Sequence, residues 1–345
     1  MSVASYRPGV YSSYTIAPSY TGTREALTVG VLGVSLGLEG EGPVLVSRGD
    51  SLNGGTKIAQ AAELLFGAGL GSFWACSLGE SAGTADWKAA LEALGEAGNP
   101  ALVVLENAGA EVLAMAKTWA QERSDGQRET LVFAGTGGEV SAAATLAQGV
   151  NSPRVVLSFG EAVPQGGTAG SPFWGAMALC AAVAVLEDPS VSLTGQVMPG
   201  LEKVTGAGYA QVETLLAAGV TPLCQAGSSV EAVRVLTTST SLGGSPDRSF
   251  SPVNSVLIID FVMKALRRNL AGLLKGAKNS QTTLSAVASQ LTVLLGDFLD
   301  RGIITGFEAP RVSIQPDAPE VCVARVAFTA AYLINQIQIK AEIQL

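Results

Sequence analysis

The sequence predicts a multidomain α/β and α+β fold: a small β subdomain, a parallel-sheet α/β middle domain, and a C-terminal α+β domain with extended N- and C-terminal strands. Three observations predict it. Between 84 and 190, short β-branched runs such as "ALVVLE" and "RVVLSFG" alternate with amphipathic helical stretches. That pattern implies a parallel sheet covered on both faces. A Gly/Ser/Pro-dense break, "LGGSPDRSFSP", then precedes two long helical stretches. Finally the chain ends in strict alternation: Ile337, Ile339, Ala341, Ile343 and Leu345 are apolar, and the residues between them are polar. That is the period of a strand with one buried face, and such a strand needs a sheet to join.

The expected organisation, in order, starts with an extended arm over 1–24. Pro8 and Pro18 bar helix there, and its few aliphatics cannot build a core. Residues 25–83 read as a small, mostly β subdomain, with Thr56 as N-cap of the helix "TKIAQAAELLFG". The α/β middle domain follows over 84–241; its helix "DWKAALEALGEAG" places Trp87, Leu91 and Leu94 on one face. Its later part carries the paired strands "VTPLCQAG" and "VEAVRVLTTST". The C-terminal domain, 242–334, opens with helices over about 254–274 and 282–300, then strands around 305–315 and 320–334. Residues 335–345 form the terminal strand.

Composition narrows the function. Apolar residues make up 48% and charged residues 14% of 345, against about 25% charged in an average soluble domain. So few charges cannot coat several independent surfaces, which implies that other subunits cover some of them. A net charge of −8 argues against nucleic acid or an anionic membrane as partner. The chain has no histidine, which removes Ser-His-Asp and Cys-His machinery and His-ligated metals together. Cys76, Cys180, Cys224 and Cys322 are scattered singly and read as buried small hydrophobes in a reducing compartment. The start lacks a basic region followed by an apolar core, so no secretion signal is expected. The longest apolar run, Pro172 to Leu186, is too short to span a bilayer.

Few motifs carry chemistry. "AGTGGEV" (134–140) sits between a strand and a helix, where a phosphate-binding loop would lie. It has Val140 where the dinucleotide fingerprint needs glycine, and Glu139 would repel a phosphate; a tight turn is the better account, with a nucleotide-binding α/β enzyme as the rival reading. "SRGD" (47–50) lies in a Gly-rich turn, and a three-residue match arises often by chance. Asp125, Glu129, Asp188, Asp247 and Asp260 show no spacing of a paired-carboxylate site. A basic run, Lys264, Arg267, Arg268 and Lys275, falls at helical spacings in a net-acidic chain and suits docking on an acidic partner, against the alternative of a solvated face. The terminal strand pairs either within its own domain or, by β-augmentation, in a neighbour's sheet. Head-to-tail donation that does not close builds an open helical array; a non-contractile shell assembled by strand exchange is a further alternative.

With these residues in view, the chain resembles the tail sheath proteins of contractile phage tails, phage-tail-like bacteriocins and related injection systems. "RPGVY" (7–11) matches the usual opening of that family, and "VETLLAAGVTPLCQAGSSVEAVRVLTTSTS" resembles the segment before its C-terminal domain. "DRSFSPVNSVLIIDFVMKALRRNL", "GAKNSQTTLSAVASQLTVLLGDFLDRGIITGF" and the closing "INQIQIKAEI" resemble the rest. The resemblance implies a non-enzymatic subunit without cofactor or metal, polymerising around a tail tube and contracting to drive it through an envelope. It implies a middle domain with a subtilisin-like layout but no catalytic residues. It assigns strand donation to Pro8, Gly9, Val10 and Tyr11 and to Ile337, Ile339 and Ile343, and a tube-facing role to Lys264, Arg267, Arg268 and Lys275. The implied partners are other copies, the tube protein, and baseplate and tail-terminator proteins, with no nucleic acid and no membrane contact. Assembly in the bacterial host cytoplasm, into a virion or tail-like particle, follows from the same resemblance.

Overall fold

In the computed structural model, residues 27–38, 42–274 and 278–333 are described. The apolar runs become strands, and the stretches between them become helices. In chain order these are β1 (Val29–Val34), β2 (Pro43–Ser47), α1 (Lys57–Gly67), β3 (Ser72–Leu78), α2 (Thr84–Gly98) and β4 (Leu102–Leu105). Then come α3 (Ala110–Asp125), β5 (Leu131–Thr136), α4 (Val140–Val150), β6 (Val155–Phe159), β7 (Glu161–Pro164) and α5 (Pro172–Ala184). β8 (Leu201–Thr205), α6 (Tyr209–Ala217), β9 (Val220–Ala226) and β10 (Ser229–Ala232) complete the middle of the chain. The short pair β11 (Ser241–Leu242) and β12 (Ser245–Pro246) leads into α7 (Val253–Ala271) and α8 (Gln281–Asp300). The last strands are β13 (Ile304–Phe307), β14 (Arg311–Gln315), β15 (Ala318–Arg325) and β16 (Phe328–Ala330).

Eight strands form one sheet in the order β10-β9-β6-β5-β4-β1-β3-β2. The interior pairings from β9 to β3 are parallel, and only the edge strands β10 and β2 run antiparallel. This corrects the expected division at residue 83: β1, β2 and β3 belong to the same sheet as the middle strands and form no separate subdomain. The error has a clear cause. β1 sits between β3 and β4, a long-range pairing that the local Gly-rich pattern does not announce.

Alternation along each strand sorts its side chains onto two faces. Val29, Val31, Val104, Phe133 and Val156 face α1 and α5. Leu32, Val103, Leu105, Val132 and Leu157 face α2, α3, α4 and α6. With both faces covered, β4 and β6 are buried at every position, which is why they read as continuous apolar runs. The apolar 172–186 stretch has the same explanation. α5, capped by Ser171 and opened by Pro172, is buried on all sides from Phe173 to Ala184. Thr56 caps α1 as expected, accepting from Ala59 N at 3.4 Å.

α7 belongs to two cores. Val253, Val256 and Leu257 pack with the sheet, α1 and α5. From the next residue on, Ile258, Val262 and Leu266 pack with Leu291, Leu294, Leu295 and Phe298 of α8 and with Ile303 and Ile304. The rings of Phe261 and Phe298 meet at 5.6 Å and 65°, an edge-on contact. Beyond the helices, among the described residues, the strands pair two by two: β13 with β16 and β14 with β15.

The Gly-rich turn at 134–140 packs against the start of α5. A Cβ on Gly135 would lie 1.9 Å from the carbonyl oxygen of Pro172, so only glycine lets β5 and α5 approach so closely. Gly135→Ala is expected to lower stability by about 3 kcal/mol or more in urea unfolding. The same change at Gly54, where a Cβ would meet nothing within 4 Å, should stay within about 0.5 kcal/mol.

Candidate functional site

An open parallel sheet binds ligands outside the carboxyl ends of its strands, where the winding reverses. Here the reversal falls between β1 and β4: the chain leaves β1 toward β3 by way of α1 on one face and returns to β4 by way of α2 on the other. That crevice is filled by the chain itself. Glu106, just past β4, accepts from Val34 N at 2.6 Å and from Lys57 Nζ at 2.5 Å. Lys57 Nζ also donates to Val34 O at 2.9 Å. One strand over, a Cβ on Gly137 would lie 2.3 Å from Glu161 Oε1, and Glu139 is the N-cap residue of α4. Two carboxylates at the turn repel an anion where a phosphate would have to lie. Nor do the described residues hold any cluster of three or more Cys, Asp or Glu able to bind a metal.

The other sequence motifs are structural as well. Arg48 of the "SRGD" turn donates to Phe66 O and Leu70 O at the end of α1 and lies over the Phe66 ring at 5.8 Å. Asp50 accepts from Ser47 N at 2.7 Å. Cys76 and Cys180 are buried, and burial pushes both thiols up. The expectation of four buried cysteines fails at Cys322, which is exposed on β15, and in part at Cys224, which is half-buried. Among the described residues, neither face of β15 has a covering layer across most of its length.

What the sequence did not reveal is a cluster of charges at the opposite, amino-terminal end of the sheet. Glu129 precedes β5 and Arg154 precedes β6; the two strands are neighbours, so both residues lie at the same end of the sheet. On α7, Asp260 and Arg267 are seven residues apart and so share a face after two turns. Arg154 Nη1 meets Asp260 Oδ2 at 2.5 Å, with side chains 14% and 15% exposed. Arg267 pairs with the buried Glu129, whose Oε2 has no hydrogen-bond partner among the described residues. Burial pushes the Asp260 carboxyl up, against the pull of Arg154; Glu129 adds to the rise and Lys264 opposes it. Asp260, the only acidic residue of α7, was the available signal; its partner lies 106 residues away.

The predicted basic run therefore divides. Arg267 turns toward the sheet and is committed to Glu129. Lys264 is half-buried and Arg268 exposed. Lys275 lies outside the described residues, as do Pro8, Gly9, Val10 and Tyr11 and the terminal strand with Ile337, Ile339 and Ile343.

The surfaces left uncovered lie beyond α7. Each of β13, β14, β15 and β16 has one partner among the described residues, so each presents an open edge there. A two-stranded pair is marginal in water without further support. α8 is apolar, with mean hydropathy 1.3 in its best window and long enough by that measure to cross a membrane, yet only 17% of that window is buried. Val293 on its outer side is 66% exposed.

No family model and no curated protein sequence matches this chain. Among solved structures, the fold is similar to that of a chain of the anti-feeding prophage helical sheath in its contracted state. The TM-score is 0.69 at 15% identity, over 98% of this chain and 99% of that one. It is similar to the sheath tail protein of Desulfitobacterium hafniense, with TM-score 0.66 at 12% identity, over 93% of this chain and 100% of that one. It is also similar to the sheath tail protein of Listeria innocua, with TM-score 0.70 at 10% identity, over 89% and 92% of the two chains. The chain thus has the fold of sheath tail proteins across nearly its whole length.

Arg154→Met strands Asp260 in a dry site and should cost about 3–5 kcal/mol near neutral pH, while Arg154→Met with Asp260→Leu should recover most of it. The single-variant deficit should shrink as pH falls from neutrality toward the ordinary carboxyl value of 3.8. Because folding raises the Asp260 pKa, the proton it takes up favours the folded state in that window. Urea unfolding of the three chains at several pH values measures both effects.

Proposed function

We propose that this chain is the structural subunit of a contractile tail sheath, polymerising helically around a tail tube and shortening to drive the tube through a cell envelope. The observation that carries the reading is the fold likeness to sheath tail proteins over nearly the full chain, one of them from a contracted helical sheath. The filled crevice at the carboxyl ends of β1 and β4 favours a structural role over a catalytic one.

The open edges of β13 to β16 supply sites for β-augmentation. We assign the incoming strands to the segments around Pro8–Tyr11 and Ile337–Ile343 of adjacent copies. Ladder hydrogen bonds can persist while the joined bodies rotate, provided the linkers to the donated strands absorb the change. Lys264, Arg268 and Lys275 are proposed to face the tube protein; Arg267 contributes less directly, because it holds α7 to the sheet. Baseplate and tail-terminator proteins would contact the ends of the array, and the particle would assemble in a bacterial cytoplasm.

Full-length chain imaged by negative stain should give striated tubes or short sleeves. Flat sheets or closed shells would favour a non-contractile shell, and discrete small particles would remove the proposal. Deleting 335–345 should leave a folded protein, with an unchanged circular dichroism spectrum, that no longer polymerises. Tubes from the deleted chain would show that this end does not donate the joining strand.

A further inference from the structure

The hairpin of β14 and β15 sets two like charges against each other. Arg311 and Arg325 are direct cross-strand partners in its register, so their side chains leave the same face from Cβ atoms about 5 Å apart. Both are exposed, and among the described residues neither side chain joins an ion pair or a hydrogen bond. Val312, the next residue of β14, turns the other way and packs with the second core, so the arginines stand on the face away from that core. Like charges directly opposite destabilise a hairpin, and a two-stranded pair is already marginal. A carboxylate brought from outside would offset both costs.

β15 runs eight residues, and among the described residues its second edge has no strand beside it. The alternating segment 337–345 is nine residues long and fits that edge. With its apolar residues continuing the Val312 face, it presents Gln338, Lys340, Glu342 and Gln344 on the arginine face, and Glu342 is the only acid among them. Alternation by itself tolerates a slip of two residues, because every side chain keeps its face. Charge does not tolerate it: that slip brings Lys340 to the arginines in place of Glu342. We propose that Arg311 and Arg325 receive the Glu342 carboxylate of a second copy and so fix the register of its terminal strand on β15. A return onto the same copy's β15 needs a chain reversal directly after β16, and residues 331–336, "AYLINQ", contain neither glycine nor proline. The inference rests on the strand donation proposed above and names the side chains that select its register.

A double-mutant cycle on the full chain tests it, with association followed by sedimentation and folding by thermal unfolding at concentrations too low for assembly. Arg311→Gln with Arg325→Gln should unfold at the wild-type temperature or above, since the facing charges are gone, yet associate about fivefold more weakly. Arg325→Gln alone takes its place if the double variant does not fold. Glu342→Gln should weaken association by a similar factor. The changes on both sides together should weaken it about fivefold rather than about 25-fold, because each side removes the same interaction. Added salt should weaken wild-type association more than that of any variant. Effects that multiply, or variants that associate as tightly as wild type, overturn the proposal. So does Glu342→Gln that unfolds at a lower temperature with association unchanged, which would place the strand on its own copy. If the variants match wild type while the chain lacking 335–345 forms no tubes, strand donation stands and this register contact is wrong. A cycle that closes in small particles without tubes would sink the sheath reading and leave this one standing; no association of wild type under any condition sinks this one.

Discussion

The structure turns on α7 and on the charge pairs that fix it. A single helix starts in the core under the sheet, with Val253, Val256 and Leu257, and ends in a second core with Val262 and Leu266. Two apolar faces on one rigid rod would by themselves allow some sliding. Arg154–Asp260 and Glu129–Arg267 remove that freedom by tying the rod to the starts of two adjacent strands. Such pairs do not have to add net stability to matter, since the desolvation of both partners offsets much of their attraction. They define a single seating. In a subunit proposed to transmit force, that seating lets the α/β body and the helices of the second core move together.

The same sheet could have served catalysis. Its winding reverses between β1 and β4, where many α/β proteins hold a nucleotide. In this chain Lys57 and Glu106 fill the place, and Pro172 closes on Gly135 one strand further along. Architecture alone is a poor guide to activity; the side chains at the crevice decide. Here Lys57, Glu106 and the Val34 backbone satisfy one another. Among the described residues the unsatisfied features lie elsewhere, in open strand edges, in a helix with little cover and at Arg234 Nε.

Several elements were legible before any coordinates. The runs at 101–106, 130–135 and 154–160 became β4, β5 and β6 because a strand buried on both faces must be apolar throughout. Both long helices were legible from their stripes, since Leu291, Leu294, Leu295 and Phe298 repeat at helical spacing and are buried. The β1–β3 region reads as separate in the sequence, because nothing local states that β1 slots between β3 and β4. The exposure of Cys322 has a related reason. Small apolar residues on β15 look buried in sequence, but a lone hairpin leaves them exposed.

What the sequence determined by itself was everything carried by short-range periodicity and residue chemistry: the strand and helix runs, the Thr56 cap, the absence of histidine chemistry, and the shortage of charge. Only the tertiary structure decided which charges meet. Glu129 and Arg267 are 138 residues apart, and Arg154 and Asp260 are 106 apart; no local pattern encodes such a pairing. The isolation of Arg234 is likewise a property of its surroundings, since an unmet hydrogen bond exists only once the neighbours have taken their places. Periodicity is written into the chain because each residue's direction follows from those beside it. Electrostatic company follows only from the folded path that brings distant residues together.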